Sequence, residues 1–385
     1  MKPTCKRCGI NRILFLACLL TNLVHAQTGE PRSAASLPKM EIPRTEVQRL
    51  TSSIDGQQYV LYVYLPEGYS TSTKTYPVLY LMDAQWDFPM ATGLVESQAD
   101  DGFVPPMIVV GITWGGNNPD YGYLRFKDLT PIHSDRFPQS GNGPKFLAFL
   151  KRELIPFIES KYRASRNDRT FMGNSLGGTF GLYAMFVEPG LFNRFILSSP
   201  NLGYIGGVAG FEKEYAAKSS RLPVRLFIDV GELEGAHIPQ VEEFAKTLNA
   251  RNYKDLIFET QVIPGTGHSS NKPEGFTKGL QAVFAPQPMV IDAVVLEQYV
   301  GKYQFPGWRC DIVKEQNRLY FVIPEGTKYL LNPTSEKDFY TRGMAMVIHF
   351  KRNEAGKVSG FDTERPDGKG SFVEKIGVPS AKAGD

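Results

Sequence analysis

Short apolar strand segments alternate with helical segments from about residue 45 to residue 284, and this alternation most strongly constrains the fold. Residues 78–82 and 107–112 are continuously apolar, which is typical of strands buried on both faces of a sheet. Further strand patterns lie at residues 59–65, 169–172, 195–198, 224–230 and 256–263, and helical patterns lie at residues 143–162, from 176 onward and at 241–248. Such an alternation predicts an α/β fold, with a mainly parallel sheet covered by helices on both faces.

The pattern changes after Ala285-Pro286-Gln287-Pro288, a sequence typical of a linker. Beyond it there are only short strand-like segments, which are separated by turn residues and lie at 312–313, 319–323, 329–331, 344–350, 358–361 and 372–376. These segments predict a small antiparallel β domain, with a barrel as one arrangement. We therefore predict a catalytic α/β domain over residues 40–286 and a β domain over residues 292–380.

The first 26 residues have the pattern of a bacterial secretory signal. A basic segment is followed by an apolar run at residues 13–23 and by Val24-His25-Ala26, a small-residue cleavage site. A retained membrane anchor is the alternative, but the run is about half of the ~20 residues that a spanning helix needs. A lipoprotein, with Cys18 as the lipid-modified residue, fits less well because only a short apolar segment precedes this cysteine. We expect residues 1–26 to be removed, and the protein to be periplasmic or secreted.

Composition excludes some classes of function. The net charge is +3, with no basic run outside the amino terminus, so nothing favours binding to nucleic acid. Cys5, Cys8 and Cys18 lie in the predicted signal, which leaves only Cys310 and no intramolecular disulfide in the mature chain. Without a cysteine pair or a His-x-x-x-His sequence, we expect neither a metal nor another cofactor.

The sequence Gly173-Asn174-Ser175-Leu176-Gly177 has the Gly-x-Ser-x-Gly spacing of a nucleophilic serine. A predicted strand precedes it and a predicted helix follows it, which is the context that this motif requires. A sharp turn brings the flanking positions together, so they must be nearly free of side chains, as Gly173 and Gly177 are. Ser175 is the predicted nucleophile, and an ordinary glycine-rich turn is the alternative.

A serine hydroxyl needs a base to accept its proton, and His268 is the best placed of the five histidines. It lies in the loop at residues 264–270, after the last predicted strand and downstream of the serine, as in α/β-hydrolases. His133 precedes the serine, His237 precedes the last strand, and His349 lies in the β domain. These three fit poorly as the base, although His133 or His237 could line the pocket.

The third member of a catalytic triad, after the serine and the histidine, must be a carboxylate that orients the imidazole and stabilises its protonated form. It should follow the strand at residues 224–230, between the serine and the histidine in the chain. Glu234 is the preferred candidate because it is the later carboxylate on the loop leaving that strand. Glu232 and Asp229 remain alternatives.

Two backbone N–H groups are expected to bind the oxyanion that forms during acyl transfer. One belongs to Leu176, next to the nucleophile, and the other belongs to Ala84 or Gln85, in the loop after the strand at residues 78–82.

We assign four further side chains to the substrate pocket: Trp86, Trp114, Arg125 and Asn174. Trp86 and Trp114 each follow a predicted strand at the same side of the sheet, so they could form an aromatic wall. Buried packing is the alternative for either tryptophan.

At these residues the chain resembles the putative-esterase (esterase D) family of α/β-hydrolases. The family includes S-formylglutathione hydrolases, feruloyl and acetyl xylan esterases, siderophore esterases and mycolyltransferases. The resemblance covers roughly residues 45–284 and rests on Leu79-Tyr80-Leu81-Met82-Asp83, Arg125-x-x-Asp128-Leu129-Thr130-Pro131, residues 173–178, Ser198-Ser199-Pro200, Gly231-x-x-Glu234 and Gly267-His268. It looks closest to the siderophore-esterase branch.

This resemblance implies an α/β-hydrolase fold with Ser175, Glu234 and His268 as the catalytic triad. One departure is that Asp83-Ala84 stands where an Asp-Gly or His-Gly pair is usual. The tail, with Tyr299-Val300-Gly301-Lys302-Tyr303, resembles a small β domain appended to several periplasmic hydrolases. It could cap the active site, bind a partner or be a stable appendage.

The residues and the resemblance together predict a serine esterase that hydrolyses a small carboxylic ester through an acyl-enzyme, on siderophore-type or other esters. An acyltransferase with the same triad and an alcohol acceptor is one alternative. A non-catalytic binding protein on the same fold is another. No stable membrane insertion is expected after cleavage of the signal, and the oligomeric state is left open.

Overall fold

The computed structural model describes residues 40–203, 207–286, 289–365 and 369–377. The predicted signal at residues 1–26, with its three cysteines, lies outside the described residues. Among the residues that are described, no helix has both the length and the apolar character needed to cross a bilayer.

Eight strands form one sheet: β1 (Thr45–Thr51), β2 (Gln58–Tyr64), β3 (Tyr76–Leu81), β4 (Ile108–Trp114), β5 (Ala164–Asn174), β6 (Arg194–Ser198), β7 (Arg225–Gly231) and β8 (Ile257–Ile263). Their order is β1-β2-β4-β3-β5-β6-β7-β8. Strand β2 pairs antiparallel with both β1 and β4, whereas all pairs from β4 to β8 are parallel. The mainly parallel sheet predicted from the alternating pattern is therefore confirmed.

Helices cover both faces of this sheet: α1 (Ala84–Asp100), α2 (Tyr121–Asp128), α3 (Gly143–Phe149), α4 (Ile155–Lys161), α5 (Leu176–Val187), α6 (Val208–Ala216), α7 (His237–Arg251) and α8 (Lys272–Val283). On one face α1 and α8 bury Phe88 and Phe276 against the sheet. On the other face α3 to α7 form a larger core around Phe146, Phe171 and Phe180. A π-helical turn, Leu150–Leu154, joins α3 to α4, next to Pro156, which cannot donate a helical hydrogen bond.

After a short helix, α9 (Ala293–Glu297), the chain forms a closed antiparallel barrel. Its eight strands are β9 (Gly301–Phe305), β10 (Trp308–Glu315), β11 (Arg318–Val322), β12 (Lys328–Pro333), β13 (Asp338–Thr341), β14 (Met346–Arg352), β15 (Val358–Glu364) and β16 (Phe372–Lys375). Strand β16 pairs with β9 and closes the barrel around buried Tyr303, Phe321 and Phe361. Cys310 is buried in the same core, and this burial raises the pKa of its thiol to about 12.

The barrel contacts the edge of the sheet where the parallel strands begin. The backbone N–H of Gly343 donates to the carbonyl of Asp101 at 2.6 Å, just after the end of α1. Lys74, which precedes β3, forms an ion pair of 2.7 Å with Glu364. A cleft of about 710 Å³ lies between the two parts, with Phe103, Phe284 and Met346 in its lining. The barrel and the carboxyl ends of strands β3 to β8 therefore lie at opposite edges of the sheet.

Gly102 provides a test of this contact. Its φ is +72°, and an added Cβ would lie 2.8 Å from Cα of Ala345 in the barrel. Gly56 has nearly the same φ, +73°, but an added Cβ there would meet nothing within 4 Å. The two glycines therefore separate the steric effect of the contact from the backbone cost.

We expect Gly56→Ala to cost about 1–2 kcal/mol of stability, from the left-handed conformation alone. Gly102→Ala should cost a further ~1–3 kcal/mol because the methyl group overlaps the barrel backbone. Chemical unfolding of both variants measures the difference. Equal losses of stability in the two variants would show that the barrel does not pack against Gly102.

Candidate active site

A strained turn connects β5 to α5, and Ser175 lies at its centre. Ser175 has φ 56° and ψ −117°, a conformation that non-glycine residues rarely adopt. An added Cβ on Gly173 would lie 2.7 Å from the carbonyl carbon of Gly177, so the backbones on either side of the turn are in contact. The strand and the helix expected around Ser175 are both present, and the turn is as tight as the two glycines predict.

Two backbone hydrogen bonds hold this turn. The N–H of Ser175 donates to the carbonyl of Ser198 at 2.9 Å, and its carbonyl accepts from the N–H of Thr179 at 2.9 Å. Among the described residues, the Ser175 hydroxyl has no hydrogen-bond partner. In enzymes without substrate, catalytic hydrogen bonds are often long and shorten only in the complex.

His268 reaches the same edge of the sheet from the loop after β8. The amide of Asn174, the residue before Ser175, donates to the backbone carbonyl of His268 at 3.3 Å. Nδ1 of His268 lies 2.6 Å from Oε2 of Glu234. The carboxylate is 4% exposed and the imidazole is 42% exposed, so a buried acid is joined to a ring that solvent can reach.

Glu234 ends a 3₁₀ turn after β7, and four donors surround its carboxylate. Oε1 accepts from the N–H of Gly231 at 2.8 Å and from the hydroxyl of Ser199. Oε2 lies 2.6 Å from His268 and 3.1 Å from Nδ1 of His237. Burial opposes ionisation of Glu234, but hydrogen bonds from Ser199, His268 and Gly231 outweigh it and lower the pKa of the carboxyl group. An ionised Glu234 favours the His268 tautomer in which Nε2 is free to accept a proton.

The other two carboxylates considered for the triad have different partners. Oε2 of Glu232 accepts from the N–H of Gly265 at 2.7 Å and so holds the start of the His268 loop. Asp229 is fully buried, and its Oδ1 accepts from Ser198 at 2.9 Å and from Asn271 at 2.7 Å. Of the three candidates, Glu234 is the one in contact with His268.

Ser199 and Asn271 support Glu234, and sequence reasoning gave neither a role. The amide of Asn271 donates to the Ser199 hydroxyl at 2.8 Å, and that hydroxyl donates in turn to Glu234. Ser199 has φ 44°, a second strained position, immediately after β6. The Ser198-Ser199-Pro200 sequence, which carries part of the family resemblance, is the local signal for this support.

The predicted oxyanion donors lie at the starts of α1 and α5. The first N–H groups of a helix have no partner inside it, so those of Ala84, Gln85 and Leu176 lack a helical partner, as the predicted role in binding an anion requires. An added Cβ on Gly177 would lie 3.2 Å from Cβ of Met82, which shows how closely the first turn of α5 approaches the loop before α1.

Arg125 anchors the loop between β3 and α1. Its guanidinium donates twice to the carboxylate of Asp83, the N-cap of α1, at 3.0 and 2.8 Å. The same guanidinium lies over the ring of Trp86, 5.8 Å from its centroid. Trp86 is 55% exposed and therefore available to a ligand next to the predicted oxyanion donors.

The assignment of Trp114 to the pocket is wrong. The side chain is buried in the core, and its indole N–H donates to the buried carboxylate of Asp128 at 2.7 Å. The alternative of buried packing holds for this tryptophan. Asn174 is also largely buried, and its amide joins β6 to the His268 loop instead of facing an open pocket.

Comparison with known proteins places this chain in a family. A family described as "Putative esterase" matches residues 52–275, more than half of the chain. The chain belongs to this family. Ferri-bacillibactin esterase BesA from Bacillus subtilis (strain 168) is 26% identical to it over 280 residues, which cover 68% of this chain and 96% of BesA.

Solved structures agree with the family. The BES protein from Bacillus cereus is 26% identical and has a TM-score of 0.58, over 64% of this chain and 97% of that protein. An IroE-like serine hydrolase from Shewanella oneidensis is 24% identical, with a TM-score of 0.57 over 66% of this chain and 85% of that protein. The predicted α/β-hydrolase fold is therefore confirmed, and this family member is a carboxylic ester hydrolase.

The pH dependence of stability tests the buried hydrogen bonds of Asp229 with Ser198 and Asn271. Burial raises the pKa of Asp229 to about 7, although hydrogen bonds from Ser198 and Asn271 act in the opposite direction. The folded chain binds this proton more tightly than the unfolded chain does. The stability that Asp229 contributes is therefore complete at low pH and is lost as the pH rises from about 4 to about 7.

We expect Asp229→Asn to remove this dependence. Relative to the unsubstituted protein, its free energy of unfolding should rise by up to about 1.4 kcal/mol per pH unit across that window. Urea unfolding of both proteins at pH 4.5 and pH 7.5 measures the effect. A stability difference that is the same at both pH values would contradict it.

Proposed function

We propose that this esterase acts through Ser175, His268 and Glu234, with a covalent acyl-enzyme as the intermediate. The observation that carries the proposal is the 2.6 Å contact between His268 and Glu234, at the sheet edge where Ser175 is held in a strained turn. The chain order of serine, acid and histidine is that of α/β-hydrolases. The low pKa of Glu234 also supports it, because an ionised acid is needed to stabilise a protonated imidazole.

In the first half of the reaction the Ser175 hydroxyl attacks the ester carbonyl while Nε2 of His268 accepts its proton. The carbonyl oxygen becomes an oxyanion, and the N–H of Leu176 with that of Ala84 or Gln85 stabilises it. His268 then gives its proton to the departing alcohol, which leaves Ser175 acylated. In the second half a water molecule repeats these steps and releases the acid.

We further propose that the substrates are siderophore-type esters, in which several ester bonds link iron-chelating units. The support comes from a relative, because BesA is named as a ferri-bacillibactin esterase and its similarity covers nearly its whole length. The exposed ring of Trp86, held against Arg125, supplies an aromatic surface beside the predicted oxyanion donors. Such a surface suits stacking with aromatic chelating groups.

Substitution of the three residues tests the mechanism. Ser175→Ala should lower kcat for p-nitrophenyl acetate by about 10⁴- to 10⁶-fold and abolish labelling by a fluorophosphonate. Glu234→Gln should lower kcat by about 10³- to 10⁴-fold, because the imidazolium loses its counter-charge. Glu232→Gln is the matched control, since this exposed residue lies two positions away, and it should stay within tenfold of the unsubstituted enzyme, on the order expected for a loop contact.

Two outcomes would contradict the assignment. One is turnover by Ser175→Ala close to that of the unsubstituted enzyme. The other is a loss of kcat in Glu232→Gln or Asp229→Asn as large as that in Glu234→Gln.

A panel of substrates tests the proposed class. We expect kcat/KM for bacillibactin, with or without iron, to exceed that for methyl ferulate and for an acetylated xylan oligosaccharide by at least about tenfold, a difference of ~1.4 kcal/mol in transition-state binding. Product formation is measured by chromatography under the same conditions for each ester. A higher kcat/KM for the ferulate or the acetylated sugar would overturn the siderophore assignment and leave the serine mechanism standing.

A further inference from the structure

Glu234 is shared by two histidines, and the mechanism uses only one of them. Oε2 of Glu234 lies 2.6 Å from Nδ1 of His268 and 3.1 Å from Nδ1 of His237, the first residue of α7. The two imidazole rings meet edge to face, with centroids 5.7 Å apart. Both rings therefore direct a nitrogen atom toward the same carboxylate oxygen.

This group has the composition and spacing of a metal site. One ligand atom from each of Glu234, His237 and His268 lies within 4.8 Å of the other two. Among the described residues, it is the group of histidine, cysteine and acidic side chains found with this spacing. Two imidazoles and one carboxylate form a known three-residue ligand set for Zn²⁺, with a fourth position left for water.

The distances permit coordination after small movements. Zn²⁺ binds histidine nitrogen and carboxylate oxygen at about 2.0–2.2 Å, so tetrahedral ligand atoms lie ~3.3 Å apart. The two contacts to Oε2, at 2.6 and 3.1 Å, would each lengthen by less than about 1 Å to reach that value, and the two imidazole ligand atoms, which lie within 4.8 Å of each other, would close by at most ~1.5 Å. The His237 and His268 side chains are 31% and 42% exposed, so a cation can approach from solvent, whereas Glu234 is 4% exposed.

We propose that Glu234, His237 and His268 form an inhibitory site for Zn²⁺ or a similar transition-metal cation. The mixed imidazole and carboxylate set favours such cations over Mg²⁺ and Ca²⁺, which prefer oxygen ligands. The inhibitory effect rests on the proposed role of His268 as the base, whereas the binding of the metal does not.

The inhibition follows from the proton positions on the two imidazoles. An ionised carboxylate can only accept hydrogen bonds, so in the resting site each Nδ1 carries the proton that it donates to Glu234, and Nε2 of His268 is left as the acceptor. A metal bound at Nδ1 requires that proton to move to Nε2, so each ring changes tautomer without a net loss of protons. Nε2 of His268 is then a donor and cannot accept the proton of Ser175. The metal also takes the carboxylate away from its role as counter-charge.

Binding is tested directly, without reference to activity. The untagged mature protein, which lacks the predicted signal at residues 1–26 and its three cysteines, is titrated with ZnSO₄ in competition with a chromophoric zinc chelator. We expect one Zn²⁺ per chain for the unsubstituted protein and for Ser175→Ala. His237→Phe, which keeps a ring but removes the nitrogen ligands, should weaken binding by at least about 100-fold, more than the loss of a group that merely supports a ligand.

His349→Gln is the matched control. His349 also contacts two carboxylates, since its Nδ1 lies 2.9 Å from Asp338 and its Nε2 lies 3.6 Å from Glu364. It is on the barrel, so its substitution should leave the Zn²⁺ affinity of the Glu234 site unchanged. Loss of the bound Zn²⁺ in His349→Gln, with retention in His237→Phe, would overturn the proposal.

Activity measurements then test inhibition. For each variant, the rate with Zn²⁺ is divided by its own rate after addition of EDTA. This ratio should fall with Zn²⁺ in the unsubstituted enzyme and in His349→Gln, and stay near one in His237→Phe.

The possible failures are distinguishable. Zn²⁺ binding that depends on His237, in a protein without esterase activity, would support the metal site and refute the proposed function. Esterase activity that depends on Ser175, in a protein that binds no Zn²⁺, would support the proposed function and refute the metal site. If Zn²⁺ binds through His237 and hydrolysis does not slow, the inhibitory role is refuted.

Discussion

The backbone conformation of Ser175 is the constraint on which the rest of the site depends. A residue held at positive φ outside the usual regions costs about 1–3 kcal/mol, so the surrounding structure must hold it there. The direct contact between Gly173 and Gly177, and the bond from the Ser175 N–H to Ser198, provide that support. The same turn brings the first turn of α5 close to Met82, just before α1, where the proposed oxyanion donors of both helices begin. A looser turn would move both the hydroxyl and the donors.

The Arg125-x-x-Asp128-Leu129-Thr130-Pro131 motif supports the scaffold of the site. Asp128 is fully buried and accepts from Tyr59 at 2.9 Å, from Trp114 at 2.7 Å and from Asn142 at 2.6 Å. Its carboxylate thus joins β2, the end of β4 and the start of α3. Arg125, one turn earlier in α2, holds Asp83 in the α1 loop. The motif therefore positions the loop whose N–H groups are proposed to bind the oxyanion.

The parts that the sequence predicted well are those encoded by neighbouring residues. Buried strands, the turn at Ser175 and the loop of His268 each have a local pattern. The sequence did not predict strands β1, β9 and β13, because β1 is a largely exposed edge strand, β9 has only five residues of which two are buried, and β13 has only four residues. Ser199, Asn271 and His237 contact their partners across loops that meet only in the folded chain, so spacing could not reveal them. The pocket assignment of Trp114 was wrong for the same reason, since the direction of its side chain depends on a contact with Asp128 that exists only in the folded chain.

The position of the barrel has a practical consequence. The last strand, β16, ends at Lys375 in the barrel, which lies at the edge where the parallel strands begin. The proposed catalytic residues lie at the opposite edge, where those strands end. A solid support or a fused carrier joined through the carboxyl-terminal end of the barrel would therefore face away from the entrance to the site.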